Sequence, residues 1–219
     1  MDTLNRDDIK GLFPMLEDTF ARKKEYLIEL DSIMGDADLG LTMFAAFLAA
    51  HKEVETIETQ DIGRLFVQAG AAMAKAAPST MGTLMATGFM RGGKAVKGIH
   101  DLGLTDLSLF FDAFVEGLME RGKAKPGDKT VIDSLHPAAQ ALREAAECGS
   151  SLASAFEKAL TAAEDGLEST KDMTAQHGRA AYYREKSRDR QDAGAVVGKM
   201  IVQTFKEMID SKETRGDHT

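Results

Sequence analysis

The sequence predicts an all-α protein, and its composition and the spacing of its apolar residues both support that prediction. The 219 residues contain no Trp, 3 Tyr and 4 Pro, and they are rich in Ala, Leu, Met and charged residues. This composition favours helix over strand. Apolar residues recur near a 3.6-residue period in successive segments, as they do on the buried faces of amphipathic helices. No repeat, low-complexity tract or Pro/Ser-rich linker divides the chain, so one domain of about eight helices is the simplest organisation.

Caps and stop signals place these helices in order. Asn5, with Asp8 three residues later, predicts the start of a first helix that ends near Asp31. Seven further helices follow, with approximate limits 41–48, 61–78, 79–97, 110–122, 131–145, 151–167 and 192–208. Four glycines fall inside the predicted fourth helix, which implies close approach of a neighbouring helix or a ligand; they are Gly82, Gly88, Gly92 and Gly93. The domain is expected to span residues 1–210, and the polar tail, residues 211–219, is expected to be frayed.

Charge and targeting signals exclude several classes of function. A net charge of −8 and a pI near 5.2 argue against a nucleic-acid binder, because such proteins neutralise phosphates with Lys and Arg. The acidic N-terminus has no apolar core, and 18 apolar residues never run together, so neither secretion nor a membrane is predicted. The single cysteine, Cys148, cannot form an internal disulfide. These features indicate a cytoplasmic protein.

The turn between the first two predicted helices concentrates carboxylates. Asp31, Asp36 and Asp38 stand at spacings of five and two residues, and Gly35 and Gly40 flank the last pair. Asp31 would lie at the end of the incoming helix, and the other two would point the same way from an extended turn. Mg²⁺ prefers such oxygen ligands and bridges them to substrate phosphates. Aspartates in glycine-containing turns also serve as helix caps, and the spacing alone leaves both interpretations open.

Three other stretches have features associated with phosphate binding. Ser79-Thr80-Met81-Gly82-Thr83 places hydroxyls and free N–H groups at a helix N-terminus, where anions bind, although an ordinary Ser/Thr cap explains it equally well. Arg179 could donate a forked hydrogen bond to a phosphate or could simply be solvated. Gly127-Asp128-Lys129-Thr130 is not a P-loop, because Asp128 separates the glycine from the lysine and a helix precedes the loop.

Five segments, taken in order, resemble the nucleotide-binding L subunit of dihydroxyacetone kinases. They are Asp31 with Gly35-Asp36-Ala37-Asp38-x-Gly40, Gly82-Thr83, Pro126-Gly127-Asp128-Lys129-Thr130 with Asp133, Gly178-Arg179-Ala180, and Gln191-Asp192-x-Gly194-Ala195. The resemblance extends over about residues 5–210. It implies a barrel of eight antiparallel up-and-down helices with ADP or ATP bound at one end. It also implies two Mg²⁺ ions held by Asp31, Asp36 and Asp38. These three aspartates would act in catalysis through the metal, and Arg179 would act with them.

The resemblance further implies which residues surround the nucleotide. The phosphate-facing and adenine-facing positions would be Leu39, Gly40, Leu41, Thr42, Ser79, Thr80, Gly82, Gly122, Val131, Arg179, Asp192, Ala193 and Gly194. Three positions depart from the family pattern. Leu39 replaces a common His, the loop at 78–81 is shorter than usual, and Ala193 replaces a common Pro.

The implied function is that of a Mg²⁺-dependent glycerone (dihydroxyacetone) kinase-type phosphotransferase subunit. The ketose would be held covalently by a separate K subunit. Other partners compatible with the resemblance are a phosphotransferase-system phosphoprotein, a transcriptional regulator and a second copy of the chain. The basic residues of the 184–190 stretch are expected to form a local docking face. The alternative function is a nucleotide-binding regulatory protein of the same fold that docks onto a partner without kinase activity.

Overall fold

The computed structural model describes residues 3–216, and most of that length is helical. Nine α-helices lie within the described residues, and two two-residue strands, β1 Leu4–Asn5 and β2 Asp101–Leu102, pair antiparallel. The helices are α1 Arg6–Arg22, α2 Lys24–Ser32, α3 Leu39–Thr56, α4 Ile62–Ala76, α5 Thr80–Ala95, α6 Leu104–Gly122, α7 Ile132–Glu147, α8 Leu152–Ser169 and α9 Ala193–Gly216. The predicted all-α class is confirmed.

The helices form a closed ring. From α3 onward each helix packs on the next one in the chain, and α9 returns to pack against α1. The single first helix expected from the sequence is interrupted at Lys23, whose φ of −97° and ψ of 4° separate α1 from α2. Because α1 and α2 together make one pass, the described helices make eight antiparallel passes around a barrel, as predicted.

Phenylalanine side chains fill the interior of the barrel. Phe89 of α5 lies at the centre of this cluster, with its ring centroid 5.2 Å from that of Phe114 and 5.8 Å from that of Phe47. The cluster continues to Phe110 and Phe205, which connects α5 through α6 to α9. Aromatic pairs at these separations stabilise a core beyond the burial of their area. The interior is therefore a packed core.

The glycines of α5 let neighbouring helices approach closely. A Cβ atom on Gly93 would lie 2.6 Å from the carbonyl oxygen of Gly63 in α4, and one on Gly92 would lie 2.6 Å from the Phe110 ring in α6. Any side chain at either position would therefore push the helices apart. This contact offsets the helix-propensity cost of glycine, as expected from the sequence.

The connections divide the barrel into two ends. At one end, β1 and β2 pair, and the amide of Ile62 donates to the carbonyl of Ile99 (3.0 Å). The other end, here called the loop end, holds the connections 33–38, 77–79, 123–131 and 170–192. The last of these contains two 3₁₀ segments, Thr170–Asp172 and Arg179–Ser187. All four connections that contain predicted site residues therefore meet at the loop end.

The C-terminal helix is longer than expected. We expected a frayed tail from residue 211, but α9 continues to Gly216, and residues 217–219 lie outside the described part of the chain. The Lys206 ammonium lies 2.7 Å from Asp210, and the Thr214 hydroxyl donates to the Asp210 carbonyl. Lys212 also pairs with Asp8 at the start of α1. These contacts extend the helix beyond its last apolar residues.

Candidate metal and nucleotide site

The turn between α2 and α3 brings three aspartates together. One carboxylate oxygen from each of Asp31, Asp36 and Asp38 lies within 4.8 Å of the other two. Asp31 stands in the last turn of α2, and the other two stand in the connection before α3. The sequence expectation that these side chains converge therefore agrees with the geometry, and their oxygens are close enough for a single cation to contact all three.

Backbone conformation makes this convergence possible. A Cβ atom on Gly35 would lie 1.9 Å from Oδ1 of Asp31, so any larger residue would displace that carboxylate. Ala37 adopts a φ of 60°, a left-handed conformation that is uncommon outside glycine. Oδ2 of Asp31 accepts hydrogen bonds from the amides of Asp38 (3.1 Å) and Leu39 (3.3 Å). The turn is thus folded around the Asp31 side chain.

The electrostatics of the cluster suit a cation. Partial burial raises the pKa of Asp38, and the nearby Asp36 and Asp31 carboxylates raise it further. Three carboxylates at this separation repel one another, and a divalent cation would relieve that repulsion. The helix-cap alternative applies in part to Asp31, which accepts the amide of the first residue of α3. It does not apply to Asp38, whose side chain makes no capping hydrogen bond. The donor set therefore fits Mg²⁺.

Arg179 reaches this cluster from the long connection between α8 and α9. Its Nε lies 2.8 Å from Oδ2 of Asp36, and both side chains are substantially exposed. Arg179 also lines a cavity of about 410 Å³ with Met34, Gly35, Tyr182 and Tyr183. A charged, hydrogen-bonding side chain thus stands between the acidic turn and solvent at the loop end.

The start of α3 presents mixed surfaces. Leu39 and Gly40 are buried, and a Cβ atom on Gly40 would lie 2.1 Å from the carbonyl oxygen of Lys24. Leu41 is 54% exposed, and Thr42 is buried. A ligand at this helix start could therefore reach Leu41 directly, whereas it could reach Leu39 and Gly40 only through their backbone.

The loop at the start of α5 has the expected capped form. The Ser79 hydroxyl accepts a hydrogen bond from the Gly82 amide (3.1 Å), which makes Ser79 the N-cap. A Cβ atom on Gly82 would lie 2.1 Å from the carbonyl oxygen of Ala77, so the loop folds tightly against this position. Thr80 is exposed at the first turn. The ordinary capping interpretation is therefore correct for Ser79, and it is compatible with free N–H groups facing a ligand.

The starts of α5, α7 and α9 meet around Gly194. A Cβ atom on Gly194 would lie 2.9 Å from Cε of Met81 and 3.2 Å from the Val131 amide nitrogen. Oδ1 of Asp192 accepts a hydrogen bond from the Ala195 amide (2.7 Å) and caps α9. Burial raises the pKa of Asp192 to about 7, although the bond from Ala195 opposes the shift. Ala193 is partly buried at the first position of α9.

Gly122 ends α6 nearby. A Cβ atom there would be 3.4 Å from Leu84 of α5 and meets no closer atom, so the position is not tightly enclosed. Val131, across the 123–131 connection, is 1% exposed. The structure therefore brings Ser79, Gly82, Val131 and Gly194 to one end of the barrel with the acidic turn.

Sequence reasoning did not assign a role to several residues at this end. Asp128 and Lys129 are buried, and Asp128 contacts His177 of the long connection (3.0 Å). The available signal was the Gly127-Asp128-Lys129-Thr130 stretch, which contributes to the family resemblance but is not a P-loop, and neither observation predicts what Asp128 and Lys129 contact. Tyr182 and Tyr183 lie in a stretch without apolar periodicity, which gave no indication that they would line a cavity.

Comparison with known proteins places the chain in a family. A family model described as the DAK2 domain matches residues 33–207. The chain belongs to the DAK2 domain family. This DAK2 domain is 34% identical over 201 residues to the ADP-binding subunit DhaL of the PEP-dependent dihydroxyacetone kinase of Escherichia coli (strain K12). That alignment covers 92% of this chain and 96% of the relative.

Other relatives are longer than this DAK2 domain. L-erythrulose kinase of Pectobacterium atrosepticum is 33% identical over 84% of this chain and 32% of its own length. Triokinase/FMN cyclase of Mus musculus is 31% identical over 88% of this chain and 33% of its own length. The chain thus spans about one third of these two proteins.

Solved structures share the fold. The dihydroxyacetone kinase from C. freundii, in complex with AMP-PNP and Mg²⁺, matches with a TM-score of 0.69 and 22% identity. The match covers 94% of this chain and 34% of that one. None of the described helices has the length and hydropathy needed to cross a membrane.

Proposed function

We propose that this DAK2 domain binds ADP or ATP with Mg²⁺ and is the phosphoryl-transfer subunit of a dihydroxyacetone-type kinase. The observation that carries this proposal is the proximity of the Asp31, Asp36 and Asp38 carboxylates, within 4.8 Å of one another. The Arg179 guanidinium stands against this cluster. The identity to an ADP-binding DhaL subunit over nearly its whole length supports the same function.

The residues of the chain have distinct roles in this proposal. Asp31, Asp36 and Asp38 would hold two Mg²⁺ ions, which supply charge neutralisation to the nucleotide phosphates when bound. Arg179 would donate forked hydrogen bonds to a phosphate. The free amides at the starts of α3 and α5 would face the same phosphates, because helix N-termini favour anions. Gly122 and Val131 would border the adenine, and the Asp192–Gly194 turn would close over the nucleotide.

The substrate is proposed to be dihydroxyacetone or a related small ketose on a separate K subunit in the cytoplasm. The relative that this chain matches over 96% of its length is named as a subunit, which supports a separate partner that holds the ketose. An L-erythrulose kinase among the relatives supports the wider class of small ketoses. Whether a phosphoprotein or exchanging ATP supplies the phosphoryl group is decided by assaying each donor with the reconstituted pair.

The basic stretch at 184–190 is proposed as part of the docking face for the partner. Arg184, Lys186, Arg188 and Arg190 are exposed on a chain whose net charge is −8. Charge complementarity would therefore favour an acidic surface on the partner. Reversing the charge of Arg184 and Lys186 together should weaken partner binding at low salt, and the difference from wild type should shrink as added salt screens the charges. Unchanged affinity would exclude this face.

Thermal melts test the binding site. The chain is freed of any co-purified nucleotide and melted alone, with Mg²⁺, with ADP and with both. A ligand at a hundredfold its dissociation constant stabilises the folded state by about 2.7 kcal/mol, so occupation of the site should raise the melting temperature clearly. We expect the large shift only with both ligands. The absence of any shift would refute the proposed site.

A reconstituted assay separates the two candidate functions. With a K subunit, ketose and a phosphoryl donor, the kinase proposal requires transfer to the ketose. Nucleotide binding without transfer to any ketose, together with recovery of a regulator in a pull-down, would instead support the regulatory alternative.

A further inference from the structure

A buried lysine joins the two ends of the longest connection at the loop end. Lys129 is 2% exposed, and its ammonium donates hydrogen bonds to the carbonyls of Thr170 and Arg190, the latter at 2.6 Å. These carbonyls stand at the beginning and end of residues 170–190, here called the 170–190 segment. A buried ammonium normally requires such acceptors, because desolvation without them is costly. Lys129 thus fixes the distance between the two stems of the segment.

The neighbouring Asp128 holds the middle of the same segment. Its carbonyl accepts a hydrogen bond from the Gln176 amide (3.1 Å), and its carboxylate contacts Nε2 of His177 (3.0 Å). The turn that carries both residues is itself anchored to α7. Oδ1 and Oδ2 of Asp133 accept the amides of Gly127 and Thr130, each at 2.6 Å. Two consecutive side chains on a rigid turn therefore contact the 170–190 segment at three places.

This segment leads to two proposed ligand-contacting positions. Arg179 lies within it, and Asp192 lies two residues after its end. The amide of Asp192 donates to the hydroxyl of Thr170 (2.9 Å), the residue whose carbonyl binds Lys129. Arg184 and Asp189 adopt φ values of 50° and 63°, which cost energy for residues other than glycine. Hydrogen bonds within the segment, such as those from the amides of Ala175 and Asp189, and the contacts of Asp128 and Lys129 together hold it in this conformation.

We propose that Lys129 is a positioning residue for the nucleotide site, acting through Thr170 and Arg190 on the placement of Arg179 and Asp192. This inference rests on the proposed function for the identity of the site, but the contacts themselves do not depend on a ligand. Lys129 is almost fully buried and its ammonium is hydrogen-bonded to two backbone carbonyls, so its role is to hold the connection. The Gly127-Asp128-Lys129-Thr130 stretch is thus a clamp on a neighbouring loop.

The charge balance around Lys129 supports this role. Burial lowers the pKa of Lys129, whereas the nearby carboxylates of Asp192, Asp133 and Asp189 raise it. Of these three acids, Asp189 lies near the C-terminal end of the segment and Asp192 lies in the turn that follows it. Replacing the ammonium with an apolar group would leave two carbonyls without their donor and would leave the Asp192 carboxylate without its neighbouring charge. The loss of these interactions would lower the stability of the folded conformation of the 170–190 segment.

The test compares Lys129→Met with Lys171→Met. Both variants replace a lysine with an unbranched apolar residue, but the exposed Lys171 ammonium pairs only with Glu168 among the described contacts. Each ligand-free chain is treated with trypsin under native conditions, and mass spectrometry follows cleavage after Arg179, Arg184, Lys186, Arg188 and Arg190. A parallel titration measures ADP affinity with Mg²⁺ present, and circular dichroism measures helix content.

We expect Lys129→Met to raise cleavage within the segment by about tenfold or more, since it removes hydrogen bonds from a charged donor. Cleavage elsewhere and helix content should remain near wild type, and saturating ADP with Mg²⁺ should restore resistance. ADP affinity should fall by about tenfold. Lys171→Met should match wild type in all of these measurements. Wild-type cleavage in Lys129→Met, or faster cleavage throughout the chain, would overturn the proposal.

A second variant covers the case in which Lys129→Met does not fold. His177→Ala removes only the contact of the partly exposed imidazole with Asp128, and it should accelerate cleavage after Arg179 more than after Arg190. Equal acceleration at both sites, or none, would contradict the clamp. The two proposals can be refuted independently. A wild-type chain that binds no ADP would refute the proposed function. The cleavage pattern of the ligand-free variants would still test whether Lys129 holds the 170–190 segment.

Discussion

Nε of Arg179 lies 2.8 Å from Oδ2 of Asp36, so the guanidinium neutralises one carboxylate of the acidic cluster before any cation binds. Arg179 therefore competes with a cation for Asp36 in the ligand-free chain. Nucleotide phosphates would give the guanidinium a new partner and free the carboxylate. Binding of Mg²⁺ and binding of ADP are thus expected to reinforce each other.

Replacing Arg179 should have opposite effects on the two ligands. Arg179→Ala removes an exposed ion pair worth up to about 1 kcal/mol, so Mg²⁺ affinity without nucleotide should rise by up to about fivefold. ADP affinity with Mg²⁺ should fall by about tenfold or more, because a charged donor to phosphate is lost. Calorimetric titrations with each ligand order measure both effects. Lys186→Ala, in the same segment, is the control. A parallel decrease in both affinities would contradict the competition.

Removing one carboxylate should abolish activity without unfolding the chain. Asp36→Asn keeps the side-chain shape but removes a charged ligand, so phosphoryl transfer with the K subunit and the joint Mg²⁺ and ADP melting shift should both disappear. Helix content should remain nearly intact because Asp36 is exposed. Glu29→Gln, an exposed glutamate on α2 two residues before Asp31, serves as the matched control. Normal turnover of Asp36→Asn would refute the metal role.

The close approach of Gly35 to the Asp31 side chain allows the metal site to be tested without changing any charge. Gly35→Ala would place a Cβ atom 1.9 Å from Oδ1 of Asp31 and 2.8 Å from its carbonyl oxygen, so the acidic turn must rearrange. The Mg²⁺-dependent melting shift should be lost. In Gly11→Ala, nothing lies within 4 Å of the new Cβ, and helix propensity should stabilise α1 by about 0.5–1 kcal/mol. Retention of the shift in Gly35→Ala would show that the cation does not require this placement of Asp31.

Asp128 should make stability depend on acid pH. Burial opposes ionisation, but hydrogen bonds from Lys125 and His177 outweigh it and hold the pKa of Asp128 at about 2, below the ordinary 3.8. A lowered folded-state pKa stabilises the protein above the unfolded value, and that contribution is lost as the pH falls from about 4 to about 2. The shift corresponds to about 2 kcal/mol.

The measurement is denaturant unfolding of wild type and Asp128→Asn at several pH values. At pH 6 the variant should be less stable by about 2 kcal/mol, and the difference should shrink toward zero near pH 2. A difference that stays constant between pH 6 and pH 2 would mean that the Asp128 charge does not contribute in this way.

The helices were predictable because their information is local. The Asn5 and Ser79 caps act within the first turn of their own helices, and both match the expectations. The three aspartates could also be grouped from the sequence, because they lie in one short turn. The contacts of Lys129 could not be predicted, since its partners Thr170 and Arg190 are distant in sequence. They also bind through backbone carbonyls, which every residue has, so the identity of the side chains gives no indication of the contact. The extension of α9 was missed because polar side-chain pairs, not apolar periodicity, continue it.

The acidic turn also has a consequence for the choice between cations. Oδ2 of Asp31 already accepts two backbone hydrogen bonds, so Oδ1 is the oxygen that remains for a cation. Ca²⁺ takes six to eight oxygens, with carboxylates bound through one or both oxygens, whereas Mg²⁺ takes six in an octahedral shell and usually keeps several waters. A cation at this turn would find one oxygen of Asp31 without a backbone hydrogen bond, an arrangement that would suit Mg²⁺ better than the larger ion.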